Sequence, residues 1–112
     1  MFLNRCAIVL TPKAPYITWA DSLDDHGPRY ADMPDDEGEP VFLGPDCDTI
    51  ADVHTFVLKN FDYFFEHYLE QWCTDESLWP QRRTRKLFRA WFDVRIHSMV
   101  EDVVDAPLEL DP

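Results

Sequence analysis

Apolar side chains recur at Ile50, Val53, Val57, Phe61, Phe64, Tyr68 and Trp72, in steps of three or four. That spacing lines one face of a 3.6-residue period. Leu58, Phe65 and Leu69 widen the stripe, while Asp52, Lys59, Asp62, Glu66 and Glu70 occupy the opposite side. The pattern predicts a single helix over 48–72. Asp48 or Thr49 can cap its free amides, and Asp52 adds negative charge where the helix dipole favours it. A rod of that length spans about 36 Å. Full burial of one of its large side chains is worth about 1.5–3 kcal/mol, so this stripe is the main stabilising surface of the chain.

The remaining elements are shorter. Residues 3–11, LNRCAIVLT, read as a strand that is buried on both faces or nearly so, stopped by Pro12 and Pro15. PYITWADSL follows as a short helix with Tyr16, Trp19, Ala20 and Leu23 on one face. Residues 24–40 are rich in acids, Gly and Pro and predict a mobile loop, with Tyr30 and Met33 as apolar anchors. VFL at 41–43, between Pro40 and Pro45, predicts a short edge strand. TRKLFRAWF reads as a second helix, with Leu87, Phe88, Trp91 and Phe92 on its buried face and Arg82, Arg83, Arg85, Lys86 and Arg89 mainly away from it. VRIHSMVEDV alternates with period two, Val94, Ile96, Ser98 and Val100 against Arg95, His97, Met99 and Glu101, as a strand does. Residues 104–112 read as a frayed acidic tail.

The order is β-α-β-α-α-β, an α+β domain spanning 1–112, with a small three-stranded sheet and helices packed on one face. Three strands leave both flanks as edges, which opens a route to a homodimer by strand pairing.

Charge narrows the choice of partners. The net charge is −12 and the isoelectric point about 4.4. This disfavours nucleic acid and anionic membranes as direct partners and favours a basic protein. The distribution is uneven: residues 1–80 carry −12, residues 81–95 carry +5 and residues 96–112 carry −5. The basic segment, with Phe88 and Trp91, has the composition of a nucleic-acid patch, but those aromatics lie on the face the helix must bury. Its cations are expected to pair with the acids of 32–39, with the tail, or with a partner. An acidic mimic of nucleic acid is a further possibility.

The opening apolar run, CAIVL, is five residues long, too short for a signal-peptide core or a membrane span. A cytoplasmic protein with reduced thiols is expected. Cys6, Cys47 and Cys73 are odd in number and widely spaced, which suggests neither a disulfide framework nor a zinc site. His54, His67 and His97 include no i, i+4 pair, and the three glycines are isolated. No metal ligand, catalytic residue or cofactor is therefore assigned.

The densest chemistry is QWCTDESLWP at 71–80. Cys73 follows a helix C-terminus and precedes Asp75 and Glu76, poor surroundings for a thiolate nucleophile. Thr74, Asp75 and Ser77 are suited to capping amides in a tight turn, with Leu78 and Trp79 as apolar plugs and Pro80 biasing Trp79 away from helical angles. A capped turn is the expected reading. An exposed Trp79 beside Arg82 and Arg83 would instead make a recognition surface, flanked by Asp75 and Glu76. Arg95 and His97 share one face of the last strand and could together contact an anion. The candidate binding residues are thus Trp79, Arg82, Arg95, His97, Asp75 and Glu76. An enzyme or small-molecule binder would need His97 and Arg95 to converge with the 73–79 loop.

TDESLWP, the HSMV of the last strand and NRCAIVLTPKAPYITWADSL together resemble a family of small, uncharacterised bacterial proteins that share this loop and strand. The resemblance covers most of the chain and is weakest over 24–39. It implies a fold of the family's own, a single cytosolic domain and no established activity. Some members are labelled VacJ-like, after an outer-membrane lipoprotein. That label is not carried over, because neither a signal-peptide core nor a lipobox cysteine is found. The expected role is a small, soluble interaction or accessory protein without catalysis.

Overall fold

The computed structural model describes residues 1–24, 27, 29–32, 39–46 and 48–111. In chain order the elements are β1 (Cys6–Pro12), α1 (Ala14–Ser22), β2 (Phe42–Gly44), α2 (Ile50–Lys59), α3 (Phe61–Trp72), α4 (Arg85–Trp91) and β3 (Phe92–His97), with 3-10 turns at Tyr30–Asp32 and Glu76–Leu78. The strands form an antiparallel sheet in the order β2-β1-β3. This is the α+β architecture and strand–helix order expected, with β2 at an edge. Met33, and most of the loop expected to be mobile, lie outside the described residues.

One expectation is corrected. The 48–72 stripe is two helices, not one rod, and the break falls at Asn60 (φ −112°, ψ 26°). The Asn60 N–H is shared between the carbonyls of Phe56 and Val57, and its side-chain amide bonds the Phe56 carbonyl at 2.9 Å. An asparagine amide that competes for the backbone in this way unwinds the turn. The break lets the two halves bury against different surfaces. α2 packs Val53 and Val57 beside β3, whereas α3 buries Phe64, Phe65, Tyr68 and Leu69 and reaches α4. The chain enters α2 through the Thr49 cap, whose hydroxyl accepts the Asp52 N–H, and α4 through Thr84, which accepts that of Leu87.

Further boundaries differ: the first strand, expected over 3–11, runs over Cys6–Pro12 and takes Pro12 as its last paired residue, opposite Phe92. Phe92 opens β3 rather than closing the preceding helix, and its ring stays in the core. The last strand stops at His97 instead of running on through Val103. Continuing the Ala7↔His97 register would set Phe2 opposite Asp102, yet Phe2 faces Glu101. The N-terminal strand therefore carries one extra residue, a bulge that interrupts the ladder before it resumes with Leu3 N–H to the Val100 carbonyl at 2.7 Å.

A single apolar cluster joins sheet to helices: Ile8 and Leu10 of β1, Tyr16 of α1, Val53 and Val57 of α2, Phe65, Tyr68 and Leu69 of α3, and Phe88 and Phe92. Its two buried phenols are satisfied in series. Tyr16 Oη donates to the Tyr68 carbonyl at 2.7 Å, and Tyr68 Oη donates to the Leu10 carbonyl at 2.9 Å. Desolvation raises both above the usual phenol range. Gly44 allows β2 its close approach to β1, because a Cβ there would lie 2.7 Å from both Cys6 Sγ and Ile8 Cδ1.

Candidate functional site

The 73–83 segment is built as a stitched turn. Asp75 Oδ1 accepts from the Ser77 N–H at 3.0 Å and from its hydroxyl at 2.6 Å. These bonds, the Ser77 hydroxyl first, hold the Asp75 carboxyl below its usual range. Trp79 is only 7 % exposed and gives its indole N–H to the Cys73 carbonyl at 2.8 Å. Two other indoles fix the surroundings: Trp19 of α1 donates to the Leu78 carbonyl of the turn, and Trp72, the last residue of α3, donates to the Ala20 carbonyl of α1, each at 3.0 Å. Gln81 closes the far side on the carbonyls of Glu76 and Trp79. The capped turn is therefore the observed structure. Leu78 is the exception among the expected plugs and stands 48 % exposed.

Burial of Trp79 removes the exposed indole that a recognition surface around it requires. Beside it sits an arrangement that sequence reasoning missed. Arg83 bonds Asp62 through Nε at 2.6 Å and Nη2 at 3.3 Å, Glu66 through Nη2 at 2.7 Å and the Pro80 carbonyl through Nη1 at 2.9 Å. Its guanidinium lies 5.9 Å from the Trp79 ring centre. The Asp62 hydrogen bond is the chief cause raising the Arg83 pKa, against a smaller opposing effect of burial. Asp62 and Glu66, four apart on α3, were legible as a paired acidic step; which arginine they would meet was not. Arg82, the neighbour singled out as a candidate, is exposed.

Arg95 and His97 are exposed on the outer face of β3, opposite Val9 and Ala7. Cys73 caps α3 on the helical side, donating its N–H to the Leu69 carbonyl. The thiol group lies 3.8 Å from the Asp75 carbonyl oxygen. The structure groups Asp75, Glu76 and Trp79 in one turn and Arg95 with His97 on one strand. No hydrogen bond among the described residues joins the two groups. His67 packs against Phe42 and Tyr63 rather than near His54, which faces β3. Among the described residues, no cluster of three or more His, Cys, Asp or Glu side chains could hold a metal ion.

A different surface stands out beyond β3. Val103 (88 % exposed), Val104, Leu108 and Leu110 (97 %) alternate with Asp105, Glu109 and Asp111, all exposed. The base of this segment is held by pairing of Phe2 with Glu101 and by the Asp102 N–H on the Met1 carbonyl at 2.7 Å. Between them lies an open concavity of about 690 Å³ lined by Met1, Leu3 and 101–107. No helix of the described residues is long and apolar enough to cross a membrane. Comparison with protein-family models, with curated proteins and with solved structures finds no significant match to the chain.

Proposed function

We propose that this chain is a small cytoplasmic interaction protein without catalysis, and that residues 103–111 dock into a basic, apolar-floored groove on a protein partner. One observation carries the reading. Four large aliphatic side chains are held in water, interleaved with carboxylates, on a segment anchored at one end by backbone pairing. Aliphatic side chains left in solvent gain free energy when a partner buries them, and the interleaved acids select for cations around that groove. The separation of Arg95 and His97 from the 73–79 turn, and the burial of Trp79, remove support from a reaction centre built on those residues.

The test is affinity capture from the native cell with the parent chain and with a variant carrying Val103, Val104, Leu108 and Leu110 as serine. The reading expects a specific partner that the parent retains in low salt, loses in high salt and that the variant never holds. Identical captures by both chains would refute it. If the partner binds DNA, displacement by duplex DNA would identify the chain as an acidic mimic.

A further inference from the structure

The hydrogen-bond alternation along β3 reveals a second surface, independent of 103–111. Lys13 donates its N–H to the Trp91 carbonyl at 2.7 Å, in register with the Pro12↔Phe92 pairing. Hydrogen-bonded and non-hydrogen-bonded pairs alternate in an antiparallel ladder. Asp93, Arg95 and His97 therefore bond to β1, while Phe92, Val94 and Ile96 aim their backbone groups outward. The Phe92 N–H is used to close α4 on the Phe88 carbonyl. The Phe92 carbonyl and both polar backbone groups of Val94 and Ile96 have no backbone partner among the described residues, on the outer strand of the sheet.

We propose that this edge pairs antiparallel with the same edge of a second copy, about a two-fold axis at Val94, to make a six-stranded sheet. Three features select that occupant and register. Pairing requires outward-bonding residues to face one another, and centring on Val94 uses all three, with Phe92 opposite Ile96 of the second copy. The same register sets Asp93 opposite the second copy's Arg95, and Arg95 opposite its Asp93, on the outer face. Sliding by two residues in one direction would oppose Arg95 to Arg95, and in the other Asp93 to Asp93, both unfavourable. Beneath the edge, an open groove of about 300 Å³ runs between α2 and β3, with Val57, Leu58, Phe92 and Val94 on its walls. The second copy's Ile96, opposite Phe92, is the apolar side chain nearest that groove.

The proposal is tested by sedimentation velocity on the parent, D93R, R95D and the double variant D93R/R95D. Asp93 also pairs with Lys13 at 3.5 Å, a contact that D93R loses, but that pair and Arg95 are exposed and β1 is bonded by backbone, so the variants are expected to keep the parent's circular dichroism. The parent dimerises; each single variant, with like charges opposed twice, dimerises about tenfold or more weakly; the double variant recovers. Amide exchange on the parent supplies a readout that does not depend on any variant folding. The Val94 and Ile96 amides slow as concentration rises, and the Arg95 amide, already bonded to β1, changes little. A chain that stays monomeric at about millimolar concentration, exchange at Val94 and Ile96 that ignores concentration, or a double variant no better than the singles overturns the proposal. None of these results bears on capture through 103–111, so the two readings fail separately.

Discussion

Tyr16 and Tyr68 illustrate how single residues set conditions for the whole fold. Both phenols are buried in the apolar cluster with their hydroxyls donating to carbonyls, and a phenolate could make neither bond. Their folded-state values lie above the ordinary 10.0. The neutral form is thus favoured by folding, and the stabilisation is complete below the unfolded value. As pH rises past about 10, the unfolded chain loses these protons while the native chain keeps them. Stability then falls by about 1.4 kcal/mol per pH unit for each tyrosine. Alkaline urea titrations should show this slope, and Tyr16→Phe should reduce it by about one tyrosine's share; an unchanged slope would place Tyr16 in water. The tyrosines were visible in sequence as apolar-face residues. Their hydroxyl partners were not, because the contacts span 52 and 58 positions along the chain.

At the scale of elements, Asn60 and Arg83 decide how the helices meet. One poor helix former inside a long stripe costs only about 0.5 kcal/mol in propensity, so the stripe reads as unbroken. The break is favoured because two shorter helices can each turn an apolar face to a separate surface. Arg83 then locks α3 to the turn before α4. It bonds two carboxylates and a carbonyl with its side chain only 16 % exposed, unlike a surface pair. Arg83→Ala should cost about 1.5–3 kcal/mol in urea unfolding. Arg83→Lys should recover less than half of that, since an ammonium lacks the fork that spans Asp62 and Glu66. A loss below about 0.5 kcal/mol would reduce the cluster to an ordinary surface pair.

For the whole molecule, a net charge of −12 on 112 residues opposes compaction. Raising ionic strength from about 0.01 to 0.15 M shortens the Debye length from about 30 to 8 Å. The melting temperature should rise over that range, and a fall would mean that ion pairs such as those of Arg83 outweigh self-repulsion. Local periodicity and end chemistry were enough to determine the α+β class, the order of strands and helices and the stitched turn at 75–79, and they offered Thr49, beside Asp48, as the cap of α2. Each of these follows from side chains that interact within a few positions. Tertiary structure alone decided that the long stripe would break at Asn60, that Leu78, expected beside Trp79 as a plug, would stay out, and that Arg83 rather than Arg82 would be held. It also set the bulge that ends β3 and left Val94 and Ile96 with open backbone groups. Those outcomes depend on which distant surfaces compete for the same side chain or ladder position, and spacing along a chain carries no record of that competition.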